Sequence, residues 1–183
     1  SSTLKATSFS PKCPQLKIPV APDNGIPQNE DCLYMNIYTN SDTDTKKPVF
    51  VWIYGGALAS GEGSTDTYEG TPFVTNGDIV IVNFNYRLGI FGGFYDFESF
   101  PGCENYKNNC GISDIYEALC FVKNNISYFG GDPEKITIGG ESAGASLVSY
   151  ILCSDKFKGL FNQAIMESPF PFKTSPTESH SQS

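Results

Sequence analysis

Two stretches, PVFVWIY (48–54) and IVIVNFNY (79–86), are almost unbroken runs of apolar and β-branched side chains. A strand with one wet face alternates polar and apolar residues. A run without alternation is buried on both faces, which is the situation of central strands in a parallel sheet. Ile136–Ile138 reads as a third short buried strand, NQAIMES (162–168) as the start of another, and Cys32–Thr39 as a strand preceding them all. Between Ser113 and Phe129, the residues Ile115, Ala118, Leu119, Val122, Ile126 and Phe129 fall on one helical face, and GGDP (130–133) stops that helix. Ala143–Leu152 reads as a second helix. Strands alternating with helices predict an α/β fold with a mostly parallel central sheet and flanking helices. Residues 1–31 are irregular and proline-rich. From Pro169 onward the chain is rich in Ser, Thr and Pro and lacks periodicity. The expected organisation is therefore one domain over 1–168 and a disordered tail over 169–183.

The third strand carries the chemistry. It runs into Gly140-Glu141-Ser142-Ala143-Gly144 and then into a helix. This strand–turn–helix context is what presents a serine nucleophile at a sharp turn, where flanking glycines let the backbone pass close to its neighbours. An ordinary connector with an incidental serine is the competing reading. Upstream, the first apolar run leads directly into Tyr54-Gly55-Gly56-Ala57-Leu58. Such a loop can turn unobstructed backbone N–H groups toward the oxyanion of a tetrahedral intermediate.

Composition narrows the function classes. The net charge is −8 and Arg87 is the only arginine, so phosphate backbones are repelled and nucleic acid is not an expected partner. No apolar run reaches the roughly 18 residues that a membrane-spanning helix needs. Six cysteines occur without a C-x-x-C pair, and with a single histidine no zinc or other metal site is expected. The even count favours disulfides and an oxidising compartment, against buried free thiols in a cytosolic enzyme. Cys103 and Cys110 bracket ENYKNN, and their proximity makes them tentative partners. Cys120 and Cys153 are assigned none. The chain opens with Ser1 and no signal-peptide pattern, which is the expectation for a removed leader or a fragment.

Seven stretches in order carry a resemblance: ATSFSPKCPQ (6–15), EDCLYMNIY (30–38), VWIYGGALASG (51–61), NYRLGIFGGF (85–94), GISDIYEAL (111–119), NNISYFGGDPEKITIGGESAGAS (124–146) and KGLFNQAIMES (158–168). Together they resemble the type-B carboxylesterase family, the α/β-hydrolases that include cholinesterases and fungal lipases. The resemblance implies an α/β-hydrolase fold represented in part and truncated at both ends. It implies Ser142 as nucleophile, and the backbone N–H groups of Gly56, Ala57 and Ala143 as the oxyanion hole. It further implies a Cys13–Cys32 disulfide, a structural ion pair of Arg87 with Asp114, a small-molecule carboxylic ester as substrate, no cofactor and a secretory location. The ion pair has independent support, since a lone arginine between apolar segments needs a fixed partner if buried.

Departures from the pattern qualify these expectations. The third glycine of the oxyanion loop is Ala57, whose methyl group is expected to crowd the pocket, and Leu58 replaces a usual aromatic. The tryptophan that stacks on choline in cholinesterases is missing from the segment between Cys13 and Cys32, because the only tryptophan is Trp52 in a core strand. Choline esters are therefore not indicated.

A serine hydroxyl needs a base. The only histidine, His180, sits in the expected tail with no family match around it. The triad acid and histidine follow the serine in this fold. The chain is accordingly expected to be a fragment of a serine esterase, inactive alone, whose complete form works through an acyl-enzyme. The alternatives are a non-catalytic, truncated or adhesion-type member of the family, against which the retained serine argues, and a small esterase using His180.

Overall fold

A computed structural model describes residues 6–16, 24–40, 45–93 and 109–170. Among these, five strands form one sheet: β1 (Met35–Tyr38), β2 (Lys47–Ile53), β3 (Val80–Phe84), β4 (Gly131–Glu141) and β5 (Gln163–Glu167), in the order β1-β3-β2-β4-β5. β1 runs antiparallel to β3, and every other pairing is parallel. The helices are α1 (Thr71–Asn76), α2 (Gly89–Gly92), α3 (Cys110–Asn125) and α4 (Ala143–Leu152).

The two unbroken apolar runs form β2 and β3, side by side in the sheet interior; β3 is buried throughout, whereas β2 alternates, with Pro48 exposed and Phe50 and Trp52 half-buried on the face expected to be covered. The register sets Val49 beside Val80 and Ile136, Val51 beside Val82 and Ile138, and Ile53 beside Gly140. These side chains share one face by the two-residue strand period. They form one core with Ile115, Leu119 and Val122 of α3 and Leu147, Val148 and Ile151 of α4.

Several boundaries differ from the sequence reading, three of them for visible reasons. β1 starts at Met35 rather than Cys32, because Cys32 and Tyr34 are held in tight turns by the bonds Cys32 N–H to Glu30 O (3.0 Å) and Tyr34 N–H to Cys32 O (2.9 Å). β4 starts at Gly131 rather than Ile136. Its register jumps from Lys47 opposite Gly131 to Val49 opposite Ile136. That jump leaves Asp132–Lys135 in a bulge, the one place inside a sheet that accommodates Pro133. The helical stripe also ends early. α3 gives way at Asn125 to a 3-10 turn, Ile126–Phe129, closed by Gly130 at φ 82°. The tighter winding of that turn moves Phe129 off the stripe, and it is 37% exposed while Ile115, Leu119, Val122 and Ile126 are fully buried.

Of the expected tail, Pro169 and Phe170 are described, and Phe170 N–H donates to Ser146 Oγ on α4 (3.1 Å). His180 and Cys103 lie outside the described residues.

Candidate active site

Ser142 occupies the junction between the last residue of β4 and the first of α4, with φ 55° and ψ −119°. A non-glycine residue in this region is strained by roughly 1–3 kcal/mol and is held there only by its surroundings. Those surroundings are visible. Ser142 N–H donates to Glu167 O at the end of β5 (2.9 Å), and Ser142 O accepts Ser146 N–H (3.0 Å) to start the helix. A Cβ on Gly144 would lie 2.0 Å from Ile53 O, and one on Gly140 would lie 2.6 Å from the Gly144 carbonyl carbon. Only glycine permits α4 to begin this close to β2.

The loop after β2 passes directly against this turn. A Cβ on Gly55 would stand 2.6 Å from Glu141 O and 3.2 Å from Ser142 Cβ. Gly56, Ala57 and Leu58 then follow one another at φ 114°, 56° and 60°. Gly56 O accepts the N–H groups of both Ala59 (3.0 Å) and Ser60 (3.1 Å), which closes the loop into a compact turn. Among the described backbone hydrogen bonds of loops and turns, none uses the N–H of Gly56 or Ala57. Ala143 opens α4, where the N–H has no intrahelical acceptor. The loop thus leaves the N–H groups of Gly56 and Ala57 without an acceptor among the described bonds, one and two residues after the Gly55 that packs on the serine turn. Ala57 is exposed. Its strain lies in the left-handed backbone more than in contacts of the methyl group.

Supporting contacts were not legible as motifs. Tyr54 and Tyr86 stack at 4.4 Å between centroids. Tyr86 Oη donates to Tyr54 O (2.7 Å) and Tyr54 Oη to Tyr86 O (3.1 Å), so the entry to the loop is tied to the end of β3. Burial pushes both phenols well above the ordinary tyrosine range. Gly89 N–H donates to Leu58 O (2.6 Å), tying the middle of the loop to α2. Tyr68, whose phenol is raised by burial and by the charge of Glu141, packs its ring against Trp52 at 5.5 Å.

Arg87 and Asp114 are joined at 2.6 Å. Cys13 and Cys32 form a disulfide across 19 residues of sequence. Among the described residues no group of three or more His, Cys, Asp or Glu could hold a metal ion.

The sequence model described as the carboxylesterase family matches residues 1–182. The chain is 42% identical over 167 residues to the para-nitrobenzyl esterase of Bacillus subtilis (strain 168), covering 90% of this chain and 34% of that protein. It is 43% identical over 175 residues to the bile salt-activated lipase of Mus musculus, covering 91% of this chain and 28% of that one. Among solved structures, PNB esterase superposes with a TM-score of 0.79 at 43% identity, over 91% of this chain and 33% of the other. The chain spans about a third of the length of the curated relatives it matches.

Proposed function

The chain belongs to the carboxylesterase family, and on that premise we propose that it carries the nucleophile and oxyanion hole of a carboxylic-ester hydrolase. Ser142 Oγ attacks the ester carbonyl. The N–H groups of Gly56, Ala57 and Ala143 receive the charge that develops on the carbonyl oxygen, where fixed donors lower the barrier most. Expulsion of the alcohol leaves an acyl-serine, and water hydrolyses it. The base that takes the serine proton, and the acid that orients it, come from polypeptide beyond these 183 residues. The observation that carries this reading is the strained backbone of Ser142 with Gly55 packed against it. A connector has no need of that strain, whereas an exposed nucleophile does.

The substrate is a small carboxylic ester, and no cofactor takes part. Trp52 lies within β2 against Phe50 and Tyr68, which supports a substrate other than a choline ester. The Cys13–Cys32 disulfide supports a secretory location. No described helix is long and apolar enough to cross a membrane.

Hydrolysis of p-nitrophenyl acetate tests the reading in two polypeptides, this chain and one extended to the length of its relatives. Turnover is expected in the extended polypeptide only, and Ser142→Ala should lower it by several orders of magnitude. Unchanged turnover in Ser142→Ala overturns the assignment. Robust turnover by the 183-residue chain, lost in both Ser142→Ala and His180→Ala, would place the base in this chain instead.

A further inference from the structure

Oxyanion-hole donors act only if they are fixed before the charge develops. The loop that holds Gly56 and Ala57 follows β2 and has no secondary structure of its own, so something outside it must supply the rigidity. At its far end stands Gly61, at φ 123°. A Cβ there would fall 2.5 Å from the Tyr54 ring and 2.7 Å from Gly55 O. Gly61 therefore packs on the two residues that open the loop. Gly56 is just as close to Ser60, since its Cβ would meet Ser60 O at 2.1 Å. Residues 54–61 form one tightly closed unit, and displacement of Gly61 displaces Gly56.

The group that holds Gly61 is Gln15. Its Oε1 accepts Gly61 N–H (2.9 Å) and its Nε2 donates to Gly61 O (2.9 Å). One carboxamide thus matches both the donor and the acceptor of one residue, which a carboxamide does without any change of protonation state. The second Nε2 hydrogen goes to Cys13 O (3.1 Å), so both amide hydrogens are used. The next residue adds another tie, Leu16 N–H to Ala59 O (3.3 Å). Gln15 is itself anchored. Cys13, two residues earlier, is bonded to Cys32. Asn85, just past β3, donates from Nδ2 to Cys32 O (3.1 Å) and Pro11 O (3.1 Å) and accepts Gly63 N–H at Oδ1 (2.8 Å). A path of covalent and hydrogen bonds runs from the sheet through the disulfide and Gln15 to the loop.

We propose that Gln15 is a positioning residue for the oxyanion donors, splinting Gly61 so that the N–H groups of Gly56 and Ala57 keep a fixed direction. The inference rests on the ester-hydrolase reading of Ser142. It assigns Gln15 no contact with substrate, so its loss acts on the transition state through the loop. The signature is a fall in kcat with KM unchanged, because the donors gain strength only as charge develops.

The test compares wild type, Gln15→Ala and Gln15→Glu in the full-length polypeptide, by ester hydrolysis and by backbone amide exchange. Gln15→Ala should lower kcat roughly ten- to a hundredfold, in the range that misplacing a catalytic group costs. KM should hold, and exchange should accelerate at residues 56–61 while β2, β3 and β4 stay protected. Gln15→Glu keeps an acceptor for Gly61 N–H but sets an anionic oxygen against Gly61 O and Cys13 O, so it should lose at least as much as Gln15→Ala. A wild-type kcat in Gln15→Ala overturns the proposal, and so does a loss accompanied by faster exchange throughout the strands. Absence of turnover in wild type would defeat the ester-hydrolase reading. In that event exchange at 56–61 alone decides the positioning role: acceleration in Gln15→Ala supports it, and no change overturns it.

Discussion

Asp114 takes three hydrogen bonds from Arg87: Nε (2.8 Å) and the backbone N–H (3.0 Å) on Oδ2, and Nη2 (2.6 Å) on Oδ1. The partners are unequally buried, with the Arg87 side chain 36% exposed and that of Asp114 only 6%. In an equally buried pair the guanidinium, which cannot shed its charge, would be the costlier group to strand. The structure reverses this. Water reaches Arg87 but not Asp114.

Arg87→Met should therefore destabilise the fold more than Asp114→Ala at neutral pH. We expect roughly 2 kcal/mol for Arg87→Met, below the ~3–5 kcal/mol of a fully buried pair because the arginine is solvated. Urea midpoints of the two variants at neutral pH decide it, and a loss in Asp114→Ala equal to or larger than that in Arg87→Met would contradict this ranking.

Reduction of the Cys13–Cys32 bond should cost ~3 kcal/mol by the chain-entropy estimate for a loop of this length. Peptide mapping without reduction should recover Cys13 linked to Cys32. A free thiol at Cys13 would be incompatible with the path from disulfide to Gln15.

How much of this was legible in the sequence depended on whether local pattern or distant contact set each feature. β3 and α3 were legible because burial on both faces, or along one stripe, leaves a pattern in the residues themselves. α1 and α2 were not. α1 is six residues long and buries only Val74, and α2 is a four-residue turn opened by Gly89 at φ 52°. Gly140, Ser142 and Gly144 stood out because a turn this tight restricts residue type. The left-handed backbone at Ala57 and Leu58 runs against the preference of both residues. The clasp between Gln15 and Gly61 joins residues 46 apart and leaves no periodic trace.

Gly144→Ala should be among the most damaging single-methyl changes in the chain. Its Cβ would meet Ile53 O at 2.0 Å and Tyr54 O at 2.7 Å, both main-chain atoms. We expect a loss of at least ~3 kcal/mol, as for severe overpacking. Gly159→Ala, with open space around it but φ 85°, should cost about 1 kcal/mol from backbone strain alone. Equal thermal midpoints for the two variants would contradict the tight approach of α4 to β2.

Alkaline pH should unfold the chain through Tyr54 and Tyr86. Both are raised by burial above the ordinary value of 10.0. Above about pH 10 the unfolded chain releases these protons while the folded one retains them. Stability should therefore be full below that pH and fall as pH rises, by about 1.4 kcal/mol per unit for each tyrosine. Tyr86→Phe should make that fall shallower. Tyrosinate absorbance from the two residues should rise together with unfolding. If they titrate while the fold persists, the buried, mutually bonded pair is refuted.

An acyl group carried on Ser142 is the intermediate that the ester-hydrolase mechanism requires, and it can be trapped. The extended polypeptide would be mixed with p-nitrophenyl acetate, quenched in acid within the first turnover and mapped by mass spectrometry. A burst of p-nitrophenol is expected together with an acetyl group on Ser142, with both absent in Ser142→Ala. Turnover with Ser142 unmodified, or an acetyl group carried by another residue and still formed in Ser142→Ala, would contradict that mechanism.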